Sequence, residues 1–415
     1  MKSPRLYAFE ILDGILRRNA YSNIALDSAL KNCEKENRAF ISQLVYGVIE
    51  RRLTLEYIVN MHLKGKTKPK VKTILYLGAY QIYFIENIPV SVAVNETVKL
   101  CSETGLAYYK GLVNAVLHSV ADNRIDIDSL ENLSVRYSCP QELINMWEKQ
   151  YSRENMLEIL NTVNEKPPFF AVPNSLKVTA DRLVEKLKSE GVESEEAFGI
   201  VKITSPFNLH ALKSFDEGLF HIEDLSSYLC ACELEADEGD TVLDICSAPG
   251  GKAFTVAEKM NNKGALYAFD LYEHRVELVK QGAERLGITN IVAEVNDAEH
   301  YNAQLPEADR ILCDVPCSGF GVIRRKPEIR YKNLDSLSGL PLIQYKILET
   351  SSKYLKKGGR IIYSTCTLNK KENEKVTGNF IDNNREFRLI KEKTVFPSQS
   401  GGDGFYYAVI EKKND

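Results

Sequence analysis

From residue 236 onward, short apolar runs alternate with amphipathic helical stretches, and few architectures accommodate that regularity. The runs are Thr241–Ile245, Ala265–Asp270, Ile291–Val295, Arg310–Asp314 and Arg360–Thr365, with further strands near Phe387–Ile390 and Tyr406–Glu411. Helical stretches lie between them at 252–260, 272–286 and 339–356, and again near 370–382. Strands joined through helices pair in parallel, because each crossover returns the chain to the same end of the sheet. The expectation is an open α/β sheet of seven strands, Rossmann-like, with its ligand at the strands' carboxyl ends.

The first such end is distinctive. Val242-Leu243-Asp244-Ile245 is a buried strand that finishes in the turn Cys246-Ser247-Ala248-Pro249-Gly250-Gly251-Lys252 and enters a helix. Paired glycines let backbone approach a ligand without interference from Cβ, and the helix start offers free N–H groups. The spacing matches neither the dinucleotide fingerprint nor the Walker loop. Asp270 closes the next strand and Asp297 follows the third. Acids at successive strand ends would repel a phosphate, so a phosphate-free nucleoside fits better, and S-adenosylmethionine is such a ligand.

The preceding chain divides in two. Residues 1–127 carry helix stripes at Ile11, Leu12, Ile15 and Leu16, at Phe40, Ile41, Leu44, Val45 and Val48, and at Leu112, Val113, Val116 and Leu117. Pro89 and the loop Lys64–Lys70 interrupt them, which predicts a bundle of short helices. Residues 128–235 read as a small α+β unit, with helices at Gln141–Asn164, Thr179–Glu190 and Ser226–Leu234 and strands at Phe169–Val172, Ala197–Thr204 and Gly218–Ile222. Such a unit can present a sheet to RNA or serve as a linker, and the pattern alone carries no function.

Charge is unevenly distributed. The whole chain is −4, yet residues 1–130 hold 17 Lys+Arg against 13 Asp+Glu, leaving the remainder at −8. A polyanionic partner would therefore meet a local patch, with Arg17-Arg18, Arg51-Arg52 and the Lys64–Lys72 loop as its clusters. Lys66, Lys68 and Lys70 are the candidate phosphate contacts; a solvated lysine-rich loop accounts for the same residues. No run of about 18 apolar residues is present, and Glu10 and Asp13 interrupt the first apolar stretch, against a membrane or secretory segment. Nine cysteines without framework spacing suit the reducing cytoplasm. Cys230/Cys232 and Cys313/Cys317 are close pairs that no histidine completes, so chemistry without a metal is expected.

Taken together, Asp244 to Lys252, the loop Asp314-Val315-Pro316-Cys317-Ser318-Gly319 and Thr365-Cys366-Thr367 resemble the RNA (cytosine-C5) methyltransferases. Residues 1–127, with Leu77-Gly78-Ala79-Tyr80-Gln81 and Val92-Ala93-Val94-Asn95-Glu96, resemble the NusB-like RNA-binding domain. The combination is similar to the RsmB (Sun, Fmu) class, which acts on small-subunit (16S) ribosomal RNA. The resemblance implies an all-α NusB-like bundle at 1–127, a small α+β domain at 128–235 and a class I S-adenosylmethionine-dependent methyltransferase domain at 236–415. It implies cofactor contacts from Cys246, Ser247, Ala248, Pro249, Gly250, Gly251, Lys252, Asp270, Asp297 and Asp314. Two departures stand out: Ser247 replaces the usual alanine, and Val172-Pro173-Asn174 lacks the arginine common before that asparagine.

Cytosine C5 is too poor a nucleophile to take a methyl group directly, so a thiolate must first add to C6. Cys317 and Cys366 end two successive strands, and from the residues alone either could attack. The resemblance assigns Cys366 as nucleophile, Cys317 to release of the adduct and Asp314 to the N3 edge of the base, a role that requires a protonated or proton-sharing carboxyl. Cys313, inside its strand, reads as a core thiol. Arg324-Arg325-Lys326 follows the Cys317 loop and is the candidate grip on phosphates flanking the target. The target base must leave its stack, which favours single-stranded or loop RNA over duplex DNA. A monomer is expected. The rival readings are a non-catalytic, antitermination-like RNA-binding factor with a vestigial cofactor fold, and a small-molecule methyltransferase with no affinity for RNA.

Overall fold

The apolar stripes of the first third become helices in a computed structural model, which describes residues 2–18, 22–31 and 33–414 apart from the side chains of Arg18, Ser22, Asn23, Ile24, Asp27, Gln399 and Ser400. The helices are Pro4–Arg18, Ser22–Leu30, Lys35–Glu50, Arg52–His62, Pro69–Phe84, Val90–Glu103 and Lys110–Asp122. Pro69–Phe84 is apolar on nearly every side and is buried from Val71 to Ile82 except at Lys72, so the others surround it. Leu12, Ile41, Leu44, Val45, Ile74 and Leu117 share its core. Gly78 is needed for this packing, because a Cβ there would sit 2.6 Å from Leu117. Inside the core, Gln81 accepts from Arg5 Nε (2.8 Å) and donates to the Leu77 carbonyl (2.9 Å).

The chain divides into two compact bodies. The helical body comprises residues 1–149, 163–165 and 323–332, so it extends past the expected residue 127 and recruits a segment from far downstream. That segment is held by Arg330, which is 1% exposed. Its guanidinium donates to the carbonyls of Glu50 (3.2 Å), Ser138 (3.2 Å) and Val163 (2.9 Å) and to Asn164 Oδ1 (3.0 Å). A buried charge is tolerable here because several oxygens share it.

The second body comprises residues 150–162, 166–322 and 333–415 and contains two sheets. The smaller has β1 (Phe169–Pro173), β2 (Ser194–Ala197), β3 (Ile200–Ile203) and β4 (Phe220–Ile222) in the antiparallel order β2-β3-β1-β4. The expected single strand Ala197–Thr204 is instead a hairpin, turned at Phe198 (φ 58°) and Gly199 (φ 77°). The expected helix Gln141–Asn164 is likewise two helices, Gln141–Tyr151 and Arg153–Thr162, broken at Ser152 (φ 94°).

The larger sheet contains β5 (Thr241–Asp244), β6 (Ala265–Asp270), β7 (Ile291–Val295), β8 (Ala308–Asp314), β9 (Leu355–Thr365), β10 (Phe387–Val395) and β11 (Phe405–Lys412), ordered β10-β11-β9-β8-β5-β6-β7. Pairings among β5 to β9 are parallel, and β11 runs antiparallel to both β9 and β10. Both faces are covered by apolar side chains, Val242, Leu266, Leu312 and Ile362 on one and Leu243, Ile311, Ile361 and Tyr363 on the other. Strand order reverses between β5 and β8, which opens a crevice at their carboxyl ends.

Candidate active site

Residues 246–252 form the floor of that crevice. The turn is tied to its neighbours by Ile245 N–H to the Leu312 carbonyl (3.0 Å) and Ser247 N–H to the Phe269 carbonyl (2.7 Å). Gly250 has φ 111° and Phe254 occupies the place of a Cβ, so only glycine fits before the helix Gly251–Lys259 begins. Asp270 is buried, pairs with Arg275 (3.1 Å), and the same guanidinium donates to the Ala248 carbonyl (2.6 Å). Asp244 is 1% exposed, and neither its oxygens nor the Ser247 hydroxyl has a hydrogen-bond partner in good geometry. Burial pushes its carboxyl up to about 7, with the nearby Ser247 hydroxyl opposing the shift. Unpartnered buried polar atoms beside a glycine cradle fit a bound nucleoside that supplies the missing contacts.

Asp297 is placed differently from Asp270. Its side chain is 46% exposed and bonded to its own turn, accepting from the Glu299 amide (3.0 Å) and facing His300 (2.9 Å). The Glu299 amide chiefly, with help from His300, holds its carboxyl below the usual range.

On the β8 and β9 side, register pairs Asp314 with Ser364 and so brings the two cysteine loops together. Cys317 Sγ and Cys366 Sγ are 3.3 Å apart, both partly buried. The hydrogen bond to Cys366, then burial, then charge interactions with Cys366, Glu372 and Asp314 keep the Cys317 thiol well above its ordinary value. Cys313 is fully buried in β8, and burial pushes its thiol up to about 12, as a core thiol should behave.

Asp314 is not a lone acid. Its Oδ2 pairs with Lys252 Nζ (2.8 Å) and its Oδ1 accepts from Ser364 (2.8 Å). Of the expected protonated or proton-sharing carboxyl, this contact fits the second form, with Lys252 Nζ donating to Oδ2. Burial works against that charge, but Asp314 and Glu223 outweigh it and hold Lys252 above the lysine range. Lys252 also lies 5.2 Å above the Phe405 ring.

Sequence reasoning missed a buried cluster behind the cofactor turn. Glu223 accepts from Ser227 (2.6 Å) and Thr255 (2.8 Å), and a Cβ on Gly251 would come within 3.3 Å of its carboxyl. His221 stands between Glu223 (3.5 Å) and Glu258 (3.6 Å). Asn174, which follows Val172-Pro173, is fully buried and donates to the carbonyls of Gly218 (2.9 Å) and Leu286 (2.7 Å). Nothing in a single sequence marks such polar groups as buried.

Among the basic candidates, Lys66, Lys68 and Lys70 are exposed in the helical body. Arg51 and Arg52 lie over Phe84 (5.0 Å) and Tyr331 (5.1 Å). Arg17 pairs with Asp13 (3.2 Å), whereas the Arg18 side chain is outside the described residues. In the 324–326 segment Arg324 is 7% exposed, Arg325 is half-buried and Lys326 is exposed. Among the described residues, no cluster of three His, Cys, Asp or Glu could hold a metal, and no helix is long and apolar enough to cross a membrane.

Comparison with known proteins agrees with this geometry. Residues 231–411 match the family model for 16S rRNA methyltransferase RsmB/F, and residues 2–122 match the NusB family. A relative from Bacillus subtilis (strain 168), named probable ribosomal RNA small subunit methyltransferase B, is 34% identical over 99% of both chains. The crystal structure of PH0851 shares the fold across 99% of both chains, with a TM-score of 0.82 at 24% identity. A methyltransferase homologue from Pyrococcus horikoshii, 26% identical, covers 68% of this chain and 98% of its own with a TM-score of 0.61. A NusB region joined to a methyltransferase sheet whose crevice suits S-adenosylmethionine, and a relative matched end to end, place the chain in the ribosomal RNA small subunit methyltransferase B family.

Proposed function

We propose that this rRNA methyltransferase modifies carbon 5 of a cytosine in 16S rRNA through a transient bond between Cys366 and C6. The observation that carries this reading is the pair of thiols, 3.3 Å apart at the carboxyl ends of two parallel strands, beside an ion-paired Asp314. When bound over residues 246–252, S-adenosylmethionine supplies an electrophilic methyl group. Cys366 as thiolate donates an electron pair to C6, and the displaced π pair makes C5 nucleophilic. The Lys252–Asp314 pair faces the negative charge that spreads toward N3, with the ammonium as proton donor. After methylation the C5 proton must leave before the C6–S bond can break and return its electrons to sulfur. Cys317, 3.3 Å from Cys366, is the residue assigned to take that proton, as thiolate, and pass it to solvent.

In this reading the three expected segments, 1–127, 128–235 and 236–415, serve as RNA-binding bundle, RNA-recognition unit and catalytic domain of a cytoplasmic monomer. A groove of about 830 Å³ lined by Phe169, Lys202, Phe207 and His210 gives the middle segment aromatic and cationic groups suited to an unpaired strand. The test is an adduct assay with unmodified 16S rRNA and S-adenosylmethionine. Cys317→Ala accumulates an RNA–protein species that survives denaturing gels, whereas Cys366→Ala forms none. The reverse pattern exchanges the two roles, and no adduct from either refutes the mechanism.

A further inference from the structure

The sequence around Glu372 reads Lys370-Lys371-Glu372-Asn373-Glu374-Lys375, a charge run of the kind that ordinarily starts a solvated helix. Glu372 is instead 1% exposed and Asn373 fully buried. Four donors converge on the Glu372 carboxylate: Ser318 N–H (2.8 Å), Ser318 Oγ (2.6 Å), Gln344 Nε2 (3.0 Å) and Asn369 Nδ2 (2.8 Å). Gln344 also donates to the Pro316 carbonyl (2.8 Å). Asn373 accepts from Thr365 Oγ1 (2.6 Å) and donates to the Thr367 carbonyl (2.9 Å). The residues flanking Cys317, namely Pro316 and Ser318, and those flanking Cys366, namely Thr365 and Thr367, are thus tied to one buried segment, Pro316 by way of Gln344.

The charge on Glu372 also sets a direction. Because a carboxylate only accepts, the Ser318 hydroxyl proton points to it. Ser318 Oγ must then accept from Thr367 Oγ1 (2.6 Å), which in turn accepts from Phe320 N–H (3.1 Å). A neutral amide at 372 keeps one acceptor but sets its NH2 against the donors of the other oxygen, either Ser318 N–H and Gln344 or Ser318 Oγ and Asn369, and leaves that order undefined. Gly321 N–H to the Cys366 carbonyl (3.0 Å) completes the stitching between the two loops.

We infer that Glu372, with Asn373, is a positioning residue that clamps the two cysteine loops in register and fixes the spacing of their thiols. It touches no reacting atom. Its catalytic consequence rests on the two-thiol chemistry proposed above, whereas its geometric consequence does not. The negative charge beside Cys317 also helps to raise that thiol.

The test reads both consequences. Diamide removes two electrons and two protons from adjacent thiols, joining the sulfurs while the azo reagent becomes a hydrazine, so it measures thiol spacing without RNA. Peptide mapping of the full-length protein should show a rapid Cys317–Cys366 crosslink. Glu372→Gln and the milder Ser318→Ala should each slow it about tenfold and lower kcat for methyl transfer about 10²-fold, with KM for RNA and cofactor affinity within about twofold. Glu372→Asp, which keeps the charge, should recover part of both. An unchanged crosslinking rate in Glu372→Gln and Ser318→Ala overturns the clamp, as does failure of the wild-type thiols to crosslink. Slowed crosslinking in the variants, where the wild-type protein itself makes no 5-methylcytidine, upholds the clamp and refutes the proposed chemistry instead.

Discussion

His221 offers a quantitative test of how the cofactor turn is braced. Its side chain is 4% exposed, between Glu223 at 3.5 Å and Glu258 at 3.6 Å. Burial alone would lower its pKa, but the two carboxylates raise it from 6.5 to about 9. That difference corresponds to about 3 kcal/mol of folding free energy. Because the folded value is the higher one, the contribution is complete below pH 6.5 and disappears as pH rises through 9. Glu223 works in the opposite sense, since His221 and Lys252 overcome the cost of its burial and depress its carboxyl, so its share disappears as acid protonates it. His221→Gln removes the titration while keeping a polar side chain of similar reach. Hydrogen exchange read on strand Thr241–Asp244 and helix Gly251–Lys259 isolates this body from the helical one. Wild-type protection should fall by about two orders of magnitude in equilibrium terms from pH 6.5 to beyond 9, after correction for intrinsic exchange, and the variant's should not. Parallel pH profiles for the two proteins would refute the argument.

Other expectations follow from single contacts. Lys252→Met leaves Asp314 with Ser364 but without its cation and should lower single-turnover methylation about 10²–10³-fold while the protein still binds RNA. Neutralising Lys66, Lys68 and Lys70 should weaken RNA binding and flatten its dependence on salt without changing cofactor affinity; an unaltered slope removes this loop from the interface. Gly78→Ala forces a methyl group against Leu117 and should cost about 1–3 kcal/mol, measured as a lower urea midpoint for the helical body.

The strand and helix alternation after residue 236 was legible because each buried parallel strand is a nearly continuous apolar run, and the turn 246–252 because its glycines have a conformational reason. Cys317 and Cys366 could be named from their loops, but not their adjacency, which depends on β8 and β9 pairing Asp314 with Ser364. Asp314 looked like an isolated acid because Lys252 lies 62 residues away in sequence. The Phe198-Gly199 hairpin escaped notice because phenylalanine seldom adopts positive φ, and the Ser152 break for a similar reason. Buried charges were the least visible class. Glu372 and Arg330 sit in polar stretches of sequence that periodicity assigns to solvent, His221 sits in the apolar run Gly218–Ile222 with nothing to mark it as charged, and only tertiary contacts show each one enclosed.

The path of the chain through the helical body has a consequence for biosynthesis. Arg330 engages oxygens contributed by residues 50, 138, 163 and 164, yet it emerges long after them. A nascent bundle therefore waits, with those acceptors open to water, until most of the downstream domain has been translated. Fragments ending before residue 323 would lack this keystone, so the helical body is complete only once that segment has been made, although most of it is made first.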